Sequence, residues 1–157
     1  MPRTAKIDSE VGEEKQVSAK RVVDISSFFT KDNQEKGVYH EPVIDGQNLG
    51  IKFRIIGSES DEGASVFSEY DKDIEHIESI EDTAKKNEAS RDSMARIASK
   101  LTKDMEPVEG VEAIINGKPL VYDKDIVYEI FYNSPTIAND IIRFSRRDSN
   151  FMVKKAN

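Results

Sequence analysis

The 157-residue sequence contains no cysteine and no tryptophan. Without cysteine there can be no disulfide, no thiolate–zinc site and no thiol nucleophile, which fits a reducing compartment. Histidine is almost missing as well, with His40 and His76 alone. A helical metal site needs a second ligand one turn away; His76 has none and reads as a solvated residue on a charged face. No apolar run approaches the roughly 18 residues of a membrane helix. The opening residues, MPRTAKIDSEVGEEKQ, hold no hydrophobic stretch of the kind a signal peptide carries. The glycines are scattered: Gly46 and Gly50 sit at a turn, Gly57 and Gly63 stand alone, and no phosphate-cradling loop is formed. These absences together lead us to expect a cytosolic protein with neither cofactor nor metal.

What the chain does have is charge. Charged residues make up 34% and hydrophobic residues 37%, a low apolar share that predicts an unpacked portion beside a modest core. The net charge of −7 argues against nucleic acid as the main partner, because phosphate contacts need clustered lysine and arginine.

Residues 1–36 read as an extended or disordered arm in which acidic and basic residues alternate. The arm's apolar patches, Val22-Val23, Ile25 and Phe28-Phe29, offer too little surface to offset the entropy of ordering it alone, but they can dock on a partner. A single α+β domain is expected over 37–152, followed by a tail at 153–157. Asp45-Gly46 signals a turn. Ile51, Phe53 and Ile55 alternate with Lys52 and Arg54, the pattern of a half-buried strand. Ser58 or Ser60 can cap a helix carrying Val66, Tyr70, Ile74, Ile77 and Ala84 at helical spacing. Its flanks hold Glu59, Asp61, Glu62, Glu69, Asp71, Asp73, Glu75, Glu78, Glu81 and Asp82 against the single Lys72.

The polar stretch Lys85–Ser93 reads as a break or as a solvated helical segment. Met94, Ile97, Leu101 and Met105 restore helical spacing up to Pro107. Val108–Ile115 reads as a strand or a last helical turn, and Asn116-Gly117 is a tight-turn signal with Leu120–Tyr122 as the returning strand. Asp123 and Ser134-Pro135 mark the starts of a C-terminal helix pair. The predicted architecture is a small antiparallel sheet, one long acidic helix and that helix pair, preceded by the arm.

Asp71, Asp73 and Glu75 imitate the opening of a calcium loop, but position six is His76 instead of glycine and position twelve is Asp82 instead of glutamate. Ser58 and Ser60 have no histidine partner pattern. No catalytic constellation emerges, and binding to other proteins is the expected mode of action. The aromatics Tyr122, Tyr128, Phe131, Tyr132, Phe144 and Phe151 read first as core; the candidate contact residues are Val22, Val23, Phe28 and Phe29 in the arm, the basic Arg143, Arg146 and Arg147, and Phe151 as the aromatic that can instead be an exposed anchor. The basic end, which also holds Lys154 and Lys155, is opposite in sign to the 59–82 helix. Pairing with an acidic partner or with a second copy of the chain is therefore an open option.

The order of these motifs resembles small proteins from the tail-gene region of tailed bacteriophages, described as tail assembly chaperones or minor tail proteins. The resemblance covers about residues 44–152. It rests on Gly50–Gly57, the Gly57-Ser58-Glu59-Ser60-Asp61 step, Asn116-Gly117-Lys118-Pro119, Tyr128–Tyr132, Ser134-Pro135-Thr136-Ile137 and Arg147-Asp148-Ser149-Asn150-Phe151. The arm lies outside the pattern, and a tryptophan common before the Asn-Gly turn is missing here. The resemblance implies a non-enzymatic assembly protein of the host cytoplasm that binds tape-measure or tail-tube proteins. The other role open to such a chain is a structural virion protein, a capsid decoration or head–tail component whose arm lies across capsid or tail subunits.

Overall fold

The computed structural model describes residues 19–153. A short 3-10 turn, Ile25–Phe28, precedes helix α1 (Lys31–Lys36) and strands β1 (Val38–His40), β2 (Val43–Ile44), β3 (Gln47–Asn48) and β4 (Ile51–Ile55). Helices α2 (Asp61–Glu78) and α3 (Thr83–Leu101) follow, then β5 (Thr102–Pro107), β6 (Ile114–Ile115) and β7 (Lys118–Pro119). Helices α4 (Lys124–Asn133) and α5 (Pro135–Arg146) and a second 3-10 turn, Asp148–Phe151, complete an α+β fold.

The alternation at 51–55 builds the central strand. β4 pairs antiparallel with β1 on one side and β5 on the other, placing Phe53 beside His40 and Met105, and Arg54 beside Tyr39 and Asp104. Phe53, Ile55 and Met105 are buried on the inner face. On the outer face Lys52 pairs with Glu106 at 3.0 Å and the Tyr39 hydroxyl donates to Asp104. Met105 therefore belongs to a strand and not to a continued helix. The helix ends at Leu101, where the Thr102 hydroxyl donates to the Ala98 carbonyl (2.9 Å) and the chain turns extended. The Asn116-Gly117 hairpin also departs from expectation: its returning strand is Lys118–Pro119 and not Leu120–Tyr122, because the two-residue turn pairs Ile115 directly with Lys118, and among the described residues β6 and β7 pair with no other strand. Both two-residue hairpins form as their sequences dictate. Asp45-Gly46 has φ of 51° and 78°, and Asn116-Gly117 has 52° and 77°, the doubly positive pair that a type I′ turn demands.

The long acidic helix is in fact a hairpin of two helices. Ser60 caps α2 by accepting from the Gly63 amide (2.9 Å), with Asp61 and Glu62 in the first turn, where the helix dipole favours them. The chain breaks at Ser79–Asp82, and Asp82 caps α3 by accepting from the Lys85 amide (2.9 Å). Residues 85–93 are helical, and their polar side chains find partners on neighbouring helices. Asp92 accepts from the Tyr128 hydroxyl, Glu88 from Tyr132, and Ser93 donates to Asp73 (2.7 Å). Helix α3 packs against α2, α4 and α5, and its buried Ala95 and Ala98 let those helices approach closely beside Ile97 and Leu101. Phe131 on α4 meets Phe53 of the sheet at 5.4 Å between ring centres, joining the two layers.

The packed unit reaches further toward the N-terminus than residue 37. Gln34 of α1 is fully buried, donating to Asp148 (3.0 Å) and accepting from the Glu59 amide (3.1 Å), while its carbonyl accepts from Gly57 (2.9 Å). A Cβ at Gly57 would lie 1.4 Å from the Gln34 amide oxygen, so a larger residue there displaces the Gln34 side chain. The helical segment 31–36 is thus part of the domain. Residues 1–18 of the expected arm, and residues 154–157 of the expected tail, lie outside the described residues.

Candidate functional site

Four of the eight candidate contact residues lie on the segment leading into α1. There Asp24 caps the first 3-10 turn, accepting from the Ser26 amide (3.0 Å) and hydroxyl (2.6 Å). The turn closes on itself and presents its apolar side chains outward. Val22 is 90% exposed, Phe28 57% and Phe29 63%, with Val23 and Ile25 exposed beside them. Phe28, Phe29 and Val153 line an apolar cavity of about 660 Å³ with Thr30, Lys31, Asp32 and Glu35. These side chains form a contiguous exposed apolar group.

Phe151 is not an anchor. It is completely buried, with the edge of Phe144 at 5.7 Å between ring centres, and its carbonyl accepts from Asn33 (3.0 Å). Asn150 locks the same turn by donating to the Phe144 carbonyl (3.0 Å). Of the two readings open for Phe151, core and exposed anchor, the structure shows the core one, because the turn folds back. Arg146 is also engaged within the chain, its guanidinium lying 4.7 Å from the centre of the Phe67 ring and 5.6 Å from that of Tyr70.

Arg143 and Arg147 have another setting. They line a cavity of about 330 Å³ with His40, Asp140, Phe144 and Asn150. His40 stacks on Phe144, with ring centres 4.2 Å apart, and its Nε2–H donates to Asp140 (2.6 Å). Among the described residues neither arginine forms an ion pair. A reading of the residues one by one misses His40 and Asp140, which are a hundred positions apart. The helical spacing of Asp140, Arg143 and Arg147 was the available signal, since it puts all three on one face.

Of the ten carboxylates over 59–82, Glu62, Glu69 and Asp73 are ion-paired within the chain, and the other seven form no ion pair among the described residues. Arg96 on α3 reaches Glu69 (3.2 Å), Asp73 (3.0 Å) and Asp92 (3.4 Å), Lys100 reaches Glu69 (2.7 Å) and Lys103 reaches Glu62. Among the described residues no group of three acidic or histidine side chains is placed to hold a metal ion. No helix among them is long and apolar enough to cross a membrane.

Comparison with family models, with curated proteins and with solved structures finds no match to this chain.

Proposed function

We propose that this chain acts by reversible protein binding as a tail assembly chaperone of a tailed bacteriophage, holding the tape-measure or tail-tube protein in the host cytoplasm until it is incorporated. The order of motifs supports the phage assignment. The observation that carries the binding role is the exposed apolar group Val22, Val23, Ile25, Phe28 and Phe29, gathered on one short segment. Aromatic side chains held in a short turn bury a large area on contact at little cost in conformational entropy, which suits a partner that must later be released. The reading involves no catalytic step, cofactor or nucleic acid.

A second reading, a virion component, draws on the same segment. Val22, at 90% exposure, has almost no contact with its own domain, as expected of a side chain laid across a neighbouring capsid or tail subunit.

Quantitative mass spectrometry of purified particles beside the infected-cell lysate separates the two. Abundance in the lysate with absence from particles is the expected result. A fixed copy number in particles overturns the chaperone reading in favour of the virion component. In the lysate, a Phe28→Asp/Phe29→Asp variant is expected to lose its co-purifying tape-measure or tail-tube protein while remaining folded.

A further inference from the structure

The apolar cavity at Phe28 and Phe29 adjoins two further cavities, and the three taken together are treated as one trough. Val153 is shared with a second cavity of about 410 Å³ that runs beside β1. His40, Phe144 and Asn150 are shared in turn with the cavity holding Arg143 and Arg147. The middle of the trough is a sheet edge. β1 pairs with β4 alone, and among the described residues Val38, Tyr39 and His40 make no other backbone hydrogen bond. An unpaired edge presents a row of N–H and C=O groups that an added strand can satisfy. At the far end, Arg143 in the last turn of α5 and Arg147 just beyond the helix line the third cavity, and neither forms an ion pair among the described residues. Asp140, hydrogen-bonded to His40, lines the same cavity, so an anion there is held on the side of the two arginines.

We propose that this trough binds an extended segment of a partner protein, added as a strand beside β1, with an apolar side chain against Phe28, Phe29 and Val153 and a carboxylate between Arg143 and Arg147. The shared lining of the three cavities sets the shape of the occupant and charge complementarity sets its acidic end. The inference rests on the protein-binding reading above and gives the partner segment its chemistry.

The test is to pan random dodecapeptides on the full-length protein and titrate the selected, labelled peptides by fluorescence anisotropy. Selected peptides are expected to carry Phe, Leu or Ile several residues from Asp or Glu. Replacing that acid by its amide, or the protein's arginines by Arg143→Gln/Arg147→Gln, is expected to weaken binding about tenfold or more. The double variant is expected to keep its melting temperature, since both arginines are exposed. N-methylation of the peptide's central amides is expected to abolish binding by removing the donors of the strand pair. The proposal is overturned if no peptide is selected, if selected peptides ignore the two arginines, if N-methylated peptides bind as well as their parents, or if inorganic phosphate binds where no peptide does. A synthetic peptide of residues 1–18 binding more tightly than any selected one would assign the trough to this chain and overturn the partner. None of these failures alters the lysate-against-particle result, so the two readings fail separately.

Discussion

Phe29 and Phe151 stand near opposite ends of the described chain, each at or just after a 3-10 turn, yet Phe29 is 63% exposed and Phe151 is completely buried. The difference lies in what holds each turn. The Ile25–Phe28 turn is closed by Asp24 and its own backbone, and those hydrogen bonds are all local. The Asp148–Phe151 turn is tied across the fold by Gln34, Asn33 and the Phe144 carbonyl. A turn that satisfies itself leaves its apolar side chains available, and a turn satisfied by distant elements draws them into the core. The molecule divides along this line into an open side around Phe28, Phe29 and β1, and a closed side around α2, α3 and α4.

The strongest way to break this contrast is to truncate both ends. Phe151→Ala is expected to cost about 3–5 kcal/mol, the range for removing a buried aromatic ring. Phe28→Ala/Phe29→Ala is expected to stay within about 0.5 kcal/mol of the parent, as exposed substitutions do. Denaturant titration at neutral pH measures both. Equal losses would mean that the N-terminal turn is part of the core.

A second test works at the joint between the two sides. Gly57→Ala would press a Cβ into the Gln34 amide and is expected to cost about 1–3 kcal/mol. Gln34→Ala leaves the Glu59 amide and Asp148 without their partner and is expected to cost a similar amount, about 1–3 kcal/mol. The double variant should be clearly less destabilised than the sum, because removing the Gln34 amide makes room for the new methyl group. Additive losses in unfolding titrations would show that the two residues do not share one space.

On the closed side, Arg96→Gln removes the centre of the α2–α3 ion-pair group. It is expected to cost about 1 kcal/mol or less, since the group is partly exposed, and its effect should shrink with added salt. A larger, salt-insensitive loss would mean that packing of the arginine stem outweighs its charge.

These contrasts show what could be read from the sequence. The type I′ turns, the Ser60 and Asp123 caps, the Pro135 helix start and the alternating strand at 51–55 were legible, because each rests on chemistry within a few residues. The hidden parts depend on distant pairings. Gln34 looks like any polar residue of an arm until Gly57 and Asp148 are brought to it. Residues 85–93 looked all-polar because their partners, Asp73, Tyr128 and Tyr132, are on other helices. Of the candidate contacts, the exposed Val22, Val23, Phe28 and Phe29 were legible as apolar residues with no local partners. Whether Phe151 points out or in is decided by Asn33, more than a hundred positions away.

The effect confined to the narrowest range of conditions belongs to a single proton on the closed side. The hydrogen bond from Tyr128 to Asp92, helped by desolvation and by the nearby negative charge, pushes the Tyr128 hydroxyl from its ordinary 10.0 up to about 12. Below pH 10 the proton is held in both folded and unfolded chains, so this contribution to stability is fully present. Between about 10 and 12 the unfolded chain releases the proton and the folded chain keeps it, so stability falls as pH rises through that window. Other tyrosines also titrate there, so the comparison is between the parent and Tyr128→Phe. Denaturation midpoints at about pH 9 and about pH 11.5 should converge in the variant more than in the parent. Identical pH dependence in the two proteins would mean that the Tyr128–Asp92 bond does not persist in solution. In that case the polar stretch of α3 would be a solvated surface and not part of the closed side.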